Sequence, residues 1–229
     1  EAVTSSLDFI SYMELIDMEN NMQPPAELKT GTTTVGLIGK DCVVLASDQR
    51  ATMGYLIANK TAQKIYKITD RIGATIAGSV ADAQKIMDYL RAEAKLFEIQ
   101  RSRPIRVKAL TRLLSNIMFN GRGLYMLGSL VGGFDDEGPQ VFYTDFVGSV
   151  IPDKFTSNGS GSPVALGVLE DGYKEDLPKK KAIELAIRAV AAAIERDAAT
   201  GNSILCSVID KDGYQEIDKE TIMKIWKGQ

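Results

Sequence analysis

Thr32, Thr33 and Thr34 stand in a row directly behind Gly31, in the stretch KTGTTTVG. Threonine is β-branched and suits a strand. The run therefore reads either as the start of a strand or as a place where one hydroxyl does chemistry. The chain's 229 residues include no histidine, which narrows that chemistry. Ser-His-Asp and Cys-His catalysis are excluded, and the commonest transition-metal ligand with them. A hydrolase built on this chain must take its general base from a carboxylate, a lysine or its own amino terminus.

Other reactive groups fall at the ends of expected elements. Asp48 closes an apolar run in ASDQRAT, where a charge asks for a partner, and Lys64 in AQKIYKI begins a strand. Gly78 closes IGATIAGS just before a helix, where backbone N–H groups lack helical partners. Ser160, in NGSGSP, stands at another helix start and reads equally well as a plain N-cap. Asp197, in ERDAATG, falls at the end of a long helix, where the macrodipole disfavours an acid unless something cationic waits there. Taken singly, surface charges, a cap, a turn glycine and strand threonines would account for all of them.

The elements that must position these groups come in blocks. TTVGLIG and CVVLASD read as strands joined by the turn Gly39-Lys40-Asp41, and QKIYKI and IGATIAG as a second pair around Thr69-Asp70-Arg71. Residues 80–101 form a helix with Ile86, Leu90, Ala94 and Phe97 on one face, and Val107 to Met118 a second after Pro104. SLVGGF, QVFYTDF and DKFTSNG return to strands. A helix follows from about Ser160-Pro163, and a long one from Pro178 through Ala199 carries Ile183, Ile187, Val190 and Ile194 inward. ILCSVID and YQEI close the strands around Asp212-Gly213, before a short helix from Lys219 to Trp226. Hairpin-like turns and segregated blocks predict an α+β fold of antiparallel sheets under helical layers, rather than a doubly wound parallel sheet. Tyr125-Met126-Leu127 and Met118-Phe119 read as core by default, or else as subunit interface.

Residues 1–31 differ in character. Ser5 to Asp8 has capping-box spacing, and Phe9, Met13 and Ile16 share a helical face before Pro24-Pro25 breaks it. The first residues carry several acids and no basic stretch, unlike a secretory signal. No segment reaches the roughly 18 apolar residues of a membrane span. A net charge of −3 argues against non-specific nucleic-acid binding. Cys42 and Cys206 lie far apart in apolar runs and read as buried free thiols of a reducing compartment. Together these features predict a soluble, cytoplasmic chain.

In order and spacing, GTTTVG, LASDQRAT, QKIYKI, TIAGSVADAQ, GSGSP and ERDAATG resemble the proteasome β-subunit family of N-terminal-nucleophile hydrolases, most closely the archaeal type. The resemblance runs from Gly31 to about Trp226 and implies a four-layer αββα sandwich, two antiparallel sheets between helix layers. It also implies that residues 1–31 are a propeptide removed by autocatalytic cleavage at Gly31-Thr32, so that a chain running through that junction is the precursor. Thr32 would then be the nucleophile of a threonine endopeptidase. The physics suits a chain without histidine, because an α-amino group has a pKa near 8, about two units below lysine. One residue would supply nucleophile and base together, but only once Gly31 has left, since an amide nitrogen is no base.

The supporting roles are likewise what the resemblance implies. Lys64 stays protonated beside Thr32 with Asp48 as its ion-pair partner, or else shuttles the hydroxyl proton. The Gly78 N–H forms the oxyanion hole. Ser160 and Asp197 hold the new amino terminus and the hydroxyl, and Thr200 stands where the family more often has serine. Substrate adds as a strand along the backbone of Thr52, Gly78 and Val80. Ala51, Ala62, Ile76 and Val80 form an apolar pocket that favours cleavage after hydrophobic residues. Implied partners are other β subunits in a homo- or hetero-heptameric ring, an α-subunit ring, a regulatory ATPase acting through it, and unfolded polypeptides. No metal, cofactor, nucleic acid or membrane is implied. A non-catalytic α-type subunit lacks the Gly-Thr junction. A small-molecule amidase of the wider group commonly begins with Cys or Ser.

Overall fold

A computed structural model describes residues 31–121 and 124–228, so the helix expected around Phe9 lies outside the described residues. The first two strands are β1 (Thr34–Gly39) and β2 (Cys42–Asp48), followed by a short hairpin of β3 (Ala51–Met53) and β4 (Leu56–Asn59). Next come β5 (Ile65–Thr69), β6 (Ile72–Thr75) and β7 (Ala77–Gly78), then helices α1 (Val80–Arg101) and α2 (Val107–Asn120). The second half holds β8 (Leu127–Asp135), β9 (Gly138–Thr144), β10 (Ile151–Asp153) and β11 (Phe155–Asn158), then α3 (Ser162–Gly172) and α4 (Lys179–Arg196). The chain closes with β12 (Ile204–Asp210), β13 (Gly213–Glu216) and α5 (Lys219–Lys227).

All strand pairs among the described residues are antiparallel. One sheet runs β11-β1-β2-β12-β13 and the other β10-β9-β8-β6-β5, with β7 added on β8. Strand alternation builds the layers. Cys42, Val44 and Ala46 of β2 pack with α3 and α4, while Val43 and Leu45 point the other way, onto Ile65, Val141 and Ile209 between the sheets. Ile86, Leu90 and Ala94 of α1 and Leu110 and Leu114 of α2 cover the outer face of the second sheet. The result is helix, sheet, sheet, helix, the sandwich that the family resemblance implies.

Local chemistry sets the element ends. Ser79 caps α1 by accepting the Asp82 N–H at 3.4 Å. Arg106 cannot cap α2, so the carboxylate of Asp135 at the end of β8 accepts the Val107 N–H at 2.9 Å. DKFTSNG is two strands rather than one. Its chain changes sheets at Lys154, and Pro152 is tolerated because β10 lies at an edge. The long helix ends at Arg196, short of Ala199, and its inward face is richer in alanine than expected. Ala182, Leu185, Ala186 and Ala189 are buried with Ile187 and Val190, while Ile183 and Ile194 are only half-buried. Met118 and Leu127 are core, but Phe119 and Met126 are exposed.

Candidate active site

The sandwich brings the opening threonines to one end of both sheets. Thr33 enters the first sheet ahead of β1, its carbonyl accepting the Asp48 N–H at 3.1 Å. Thr32, one residue earlier, is 4% exposed. Its N–H donates to Ser160 Oγ at 3.2 Å, and its hydroxyl donates to the Gly31 carbonyl oxygen at 2.6 Å. Gly31 must be glycine here, because a Cβ on it would lie 1.7 Å from Ala199 Cβ. Its own N–H is taken by Thr52 Oγ1 at 3.0 Å.

Lys64, just ahead of β5, is held by its carbonyl, which accepts the Ile76 N–H at 2.9 Å. Its Nζ lies 2.7 Å from Asp48 Oδ1 and 3.4 Å from the same Gly31 oxygen that Thr32 Oγ1 touches. Burial pushes the Lys64 ammonium pKa below its ordinary value, although the Asp48 carboxylate pulls the other way. Asp48 is fully buried at the end of β2 and fully used. Its Oδ1 also accepts the Thr33 N–H, and its Oδ2 the N–H groups of Arg50 and Gly201, each at 3.0 Å. Three backbone donors and an ammonium answer the question that a lone charge in an apolar run poses.

On the other side of Thr32, Ser160 is not a cap; Gly161 holds the N-cap position of α3. The Ser160 hydroxyl lies 2.5 Å from Asp197 Oδ2 and 3.3 Å from the Thr32 carbonyl, and its single proton goes to the nearer, charged acceptor. Asp197 is the C-cap of α4, and its carboxylate also accepts from Thr200 Oγ1 at 2.5 Å and the Ala199 N–H at 3.2 Å. Those donors offset the helix-end dipole, and Lys64 is close enough to feel its charge. The Thr200 hydroxyl also lies 2.7 Å from that of Thr33.

Gly78 ends β7 at φ 128°, and a Cβ there would lie 2.0 Å from the Met126 carbonyl oxygen. Only glycine fits. Ala51, Thr52, Ala62, Ile76, Gly78 and Val80 line one small cavity of about 40 Å³, together with Gly31, Thr32 and Lys64. Gln63 joins that lining without having been singled out from the sequence. A larger cavity, about 440 Å³, lies between α1 and the β5–β6 turn and holds none of these groups. Lys67 pairs with Asp70 and Lys95 with Glu98 within its lining, and Arg91 pairs with Asp88 beside it. Among the described residues there is no cluster of carboxylate and cysteine side chains able to hold a metal ion, and no helix long and apolar enough to cross a membrane.

Sequence reasoning passed over Thr33, Arg50, Gly161 and Gly201. The first has a signal, its place in the threonine run. The others act through backbone N–H groups or lack of a side chain, which composition and periodicity do not register.

Comparison with known proteins identifies a family. A family model described as "Proteasome subunit" matches residues 28–209. "Proteasome subunit beta" of Methanothermobacter thermautotrophicus is 48% identical over 196 residues, 85% of this chain and 93% of that protein. "Proteasome subunit beta" of Methanococcoides burtonii is 49% identical over 197 residues, again 85% and 93%. "Proteasome subunit beta 2" of Nitrosopumilus maritimus is 47% identical over 204 residues, 89% and 96%. The match begins ahead of Gly31 and runs into β12, across every element that supplies a site residue, and the chain belongs to the proteasome subunit family.

Proposed function

We propose that this chain is the β-type, catalytic subunit of a proteasome core, a threonine endopeptidase that degrades unfolded polypeptides with Thr32 as nucleophile. The observation that carries the reading is the convergence on the Gly31 carbonyl: Thr32 Oγ1 at 2.6 Å and Lys64 Nζ at 3.4 Å from the same oxygen. Residues 1–31 are a propeptide in this account. Thr32 Oγ loses its proton and bonds to the Gly31 carbonyl carbon, the Gly31–Thr32 C–N bond breaks, and the nitrogen takes up a proton. Water then hydrolyses the resulting ester, leaving a free carboxylate on Gly31 and a free amine on Thr32.

In the freed subunit the same hydroxyl attacks substrate. The amine accepts its proton, with Lys64 and Asp48 supplying fixed charge beside it and Ser160 and Asp197 holding the nitrogen. The Gly78 N–H receives the developing oxyanion. Substrate lies extended against Thr52, Gly78 and Val80, and the apolar walls from Ala51, Ala62, Ile76 and Val80 take the side chain before the cut. The subunit works in the cytoplasm, in a heptameric β ring stacked on an α ring and fed by a regulatory ATPase. The Gly31-Thr32 junction and the buried Lys64–Asp48 pair favour this reading over a non-catalytic ring subunit. Fluorogenic peptides test it: assembled particles are expected to cleave after Leu or Tyr faster than after Arg or Asp, and the reverse order contradicts the pocket assignment.

A further inference from the structure

We infer that Thr33 is a positioning residue that joins the Lys64–Asp48 pair to the Ser160–Asp197 pair and so fixes how Thr32 is held between them. The inference rests on the reading of Thr32 as nucleophile. Thr33 is fully buried. Its N–H donates to Asp48 Oδ1 at 3.0 Å, the oxygen that Lys64 Nζ also contacts, and its hydroxyl lies 2.7 Å from Thr200 Oγ1. One residue thereby touches both halves of the site.

Proton counting gives the bonds a direction. A hydroxyl has one proton, and a carboxylate can only accept. Ser160 Oγ and Thr200 Oγ1 both lie 2.5 Å from Asp197 Oδ2, so each spends its proton there. Thr200 must then accept from Thr33, and Ser160 is left as acceptor for the Thr32 N–H at 3.2 Å. The chain of bonds runs from Thr33 to Thr200 to Asp197, and from Thr32 through Ser160 to the same carboxylate oxygen. Thr33 and Thr200 are buried, so turning either hydroxyl leaves a neighbour unpaired with no water to replace it. Gly161 makes room for this arrangement: a Cβ there would lie 2.1 Å from Thr33 Oγ1 and 3.1 Å from Thr200 Oγ1.

The direction matters for chemistry. A freed Thr32 amine must keep its lone pair for its own hydroxyl proton. An accepting Ser160 holds an N–H and leaves that lone pair free, whereas a Ser160 turned to donate would occupy it. Thr33 lies outside the substrate cavity. Loss of its hydroxyl leaves buried Thr200 Oγ1 without its donor and loosens the Asp197 carboxylate that keeps Ser160 an acceptor, so it should lower kcat and spare KM.

The test uses assembled particles and a peptide ending in Leu before the reporter. Thr33→Val, similar in shape but without the donor, is expected to lower kcat about tenfold with KM within about twofold. Thr33→Ser, which keeps the hydroxyl, is expected to recover most of that loss. Combined with Thr200→Val, Thr33→Val should cost little beyond the worse single change, because both cut one chain of bonds. Should Thr33→Val not assemble, Thr33→Cys, a weak donor of similar size, replaces it with the same expectation. Three results overturn the inference: an unchanged kcat in the variant, a Ser variant as poor as the Val variant, or effects that multiply in the double variant. A parent particle that is inactive, or a Thr32→Ala particle that is active, would instead sink the reading of Thr32 as nucleophile.

Discussion

Lys64 Nζ and Asp48 Oδ1 form an ion pair at 2.7 Å in which both side chains are almost wholly out of water, 5% and 0% exposed. Such a pair is poor material for stability, since desolvation consumes most of the attraction. Its place beside Thr32, and the burial that lowers the Lys64 pKa, give it a use that stability does not explain. Removing one partner strands the other charge. Lys64→Met or Asp48→Asn should each destabilise the fold by about 3–5 kcal/mol and abolish peptide hydrolysis. Replacing both at once should recover part of the stability and none of the activity, by urea unfolding and peptide assay. Recovered activity in the double variant would remove the pair from the mechanism.

Gly31→Ala should slow or stop release of residues 1–31. The added methyl would overlap Ala199, whose Cβ, Cα and carbonyl oxygen would lie 1.7, 2.6 and 2.7 Å away. The Gly31 carbonyl must therefore move relative to Thr32 Oγ1, and attack geometry tolerates about 1 Å of error poorly. Gel mobility of the subunit over time reads this directly, and processing at the parent's rate would mean the junction is cut in some other arrangement.

Cys206 offers a pH-dependent check on the helix-covered core. Its complete burial pushes the thiol pKa from 9.0 up to about 12. The unfolded chain then loses this proton first, so the group's contribution to stability falls as pH rises from about 9 toward 12. The stability of the parent relative to Cys206→Ala should decline from pH 8 to pH 11. Native protein should also react slowly with thiol reagents at both Cys42 and Cys206, which are buried, and quickly in denaturant. Fast reaction of the native protein would contradict the packing.

Much of the block order is legible in the sequence alone, and for a physical reason. β2 is a seven-residue, mostly apolar run that is buried throughout, α1 repeats every third or fourth residue, and Gly39-Lys40-Asp41 turns, so the hydrophobic pattern sets the blocks. The β3–β4 hairpin left no trace, because all four residues of β4 are exposed and no buried face imposes a period. The break at Lys154 was invisible because changing sheets alters no local pattern. The grouping of Thr32, Lys64, Asp48, Ser160 and Asp197 came from matching motifs rather than from spacing, since those residues are brought together by pairings far apart in sequence. The turn of Thr200 toward Thr33 was beyond reach, as rotamers depend on neighbours such as Gly161.

Intact mass tests the central claim most directly. The chain and its Thr32→Ala variant would each be produced with a proteasome α subunit, purified as assembled particles and weighed subunit by subunit. Loss of residues 1–31 in the unmutated chain alone, accompanied by peptide hydrolysis, is the expected result. An uncut chain in a particle that hydrolyses peptides, or a variant cut at the same bond, would contradict Thr32 as a nucleophile that frees itself.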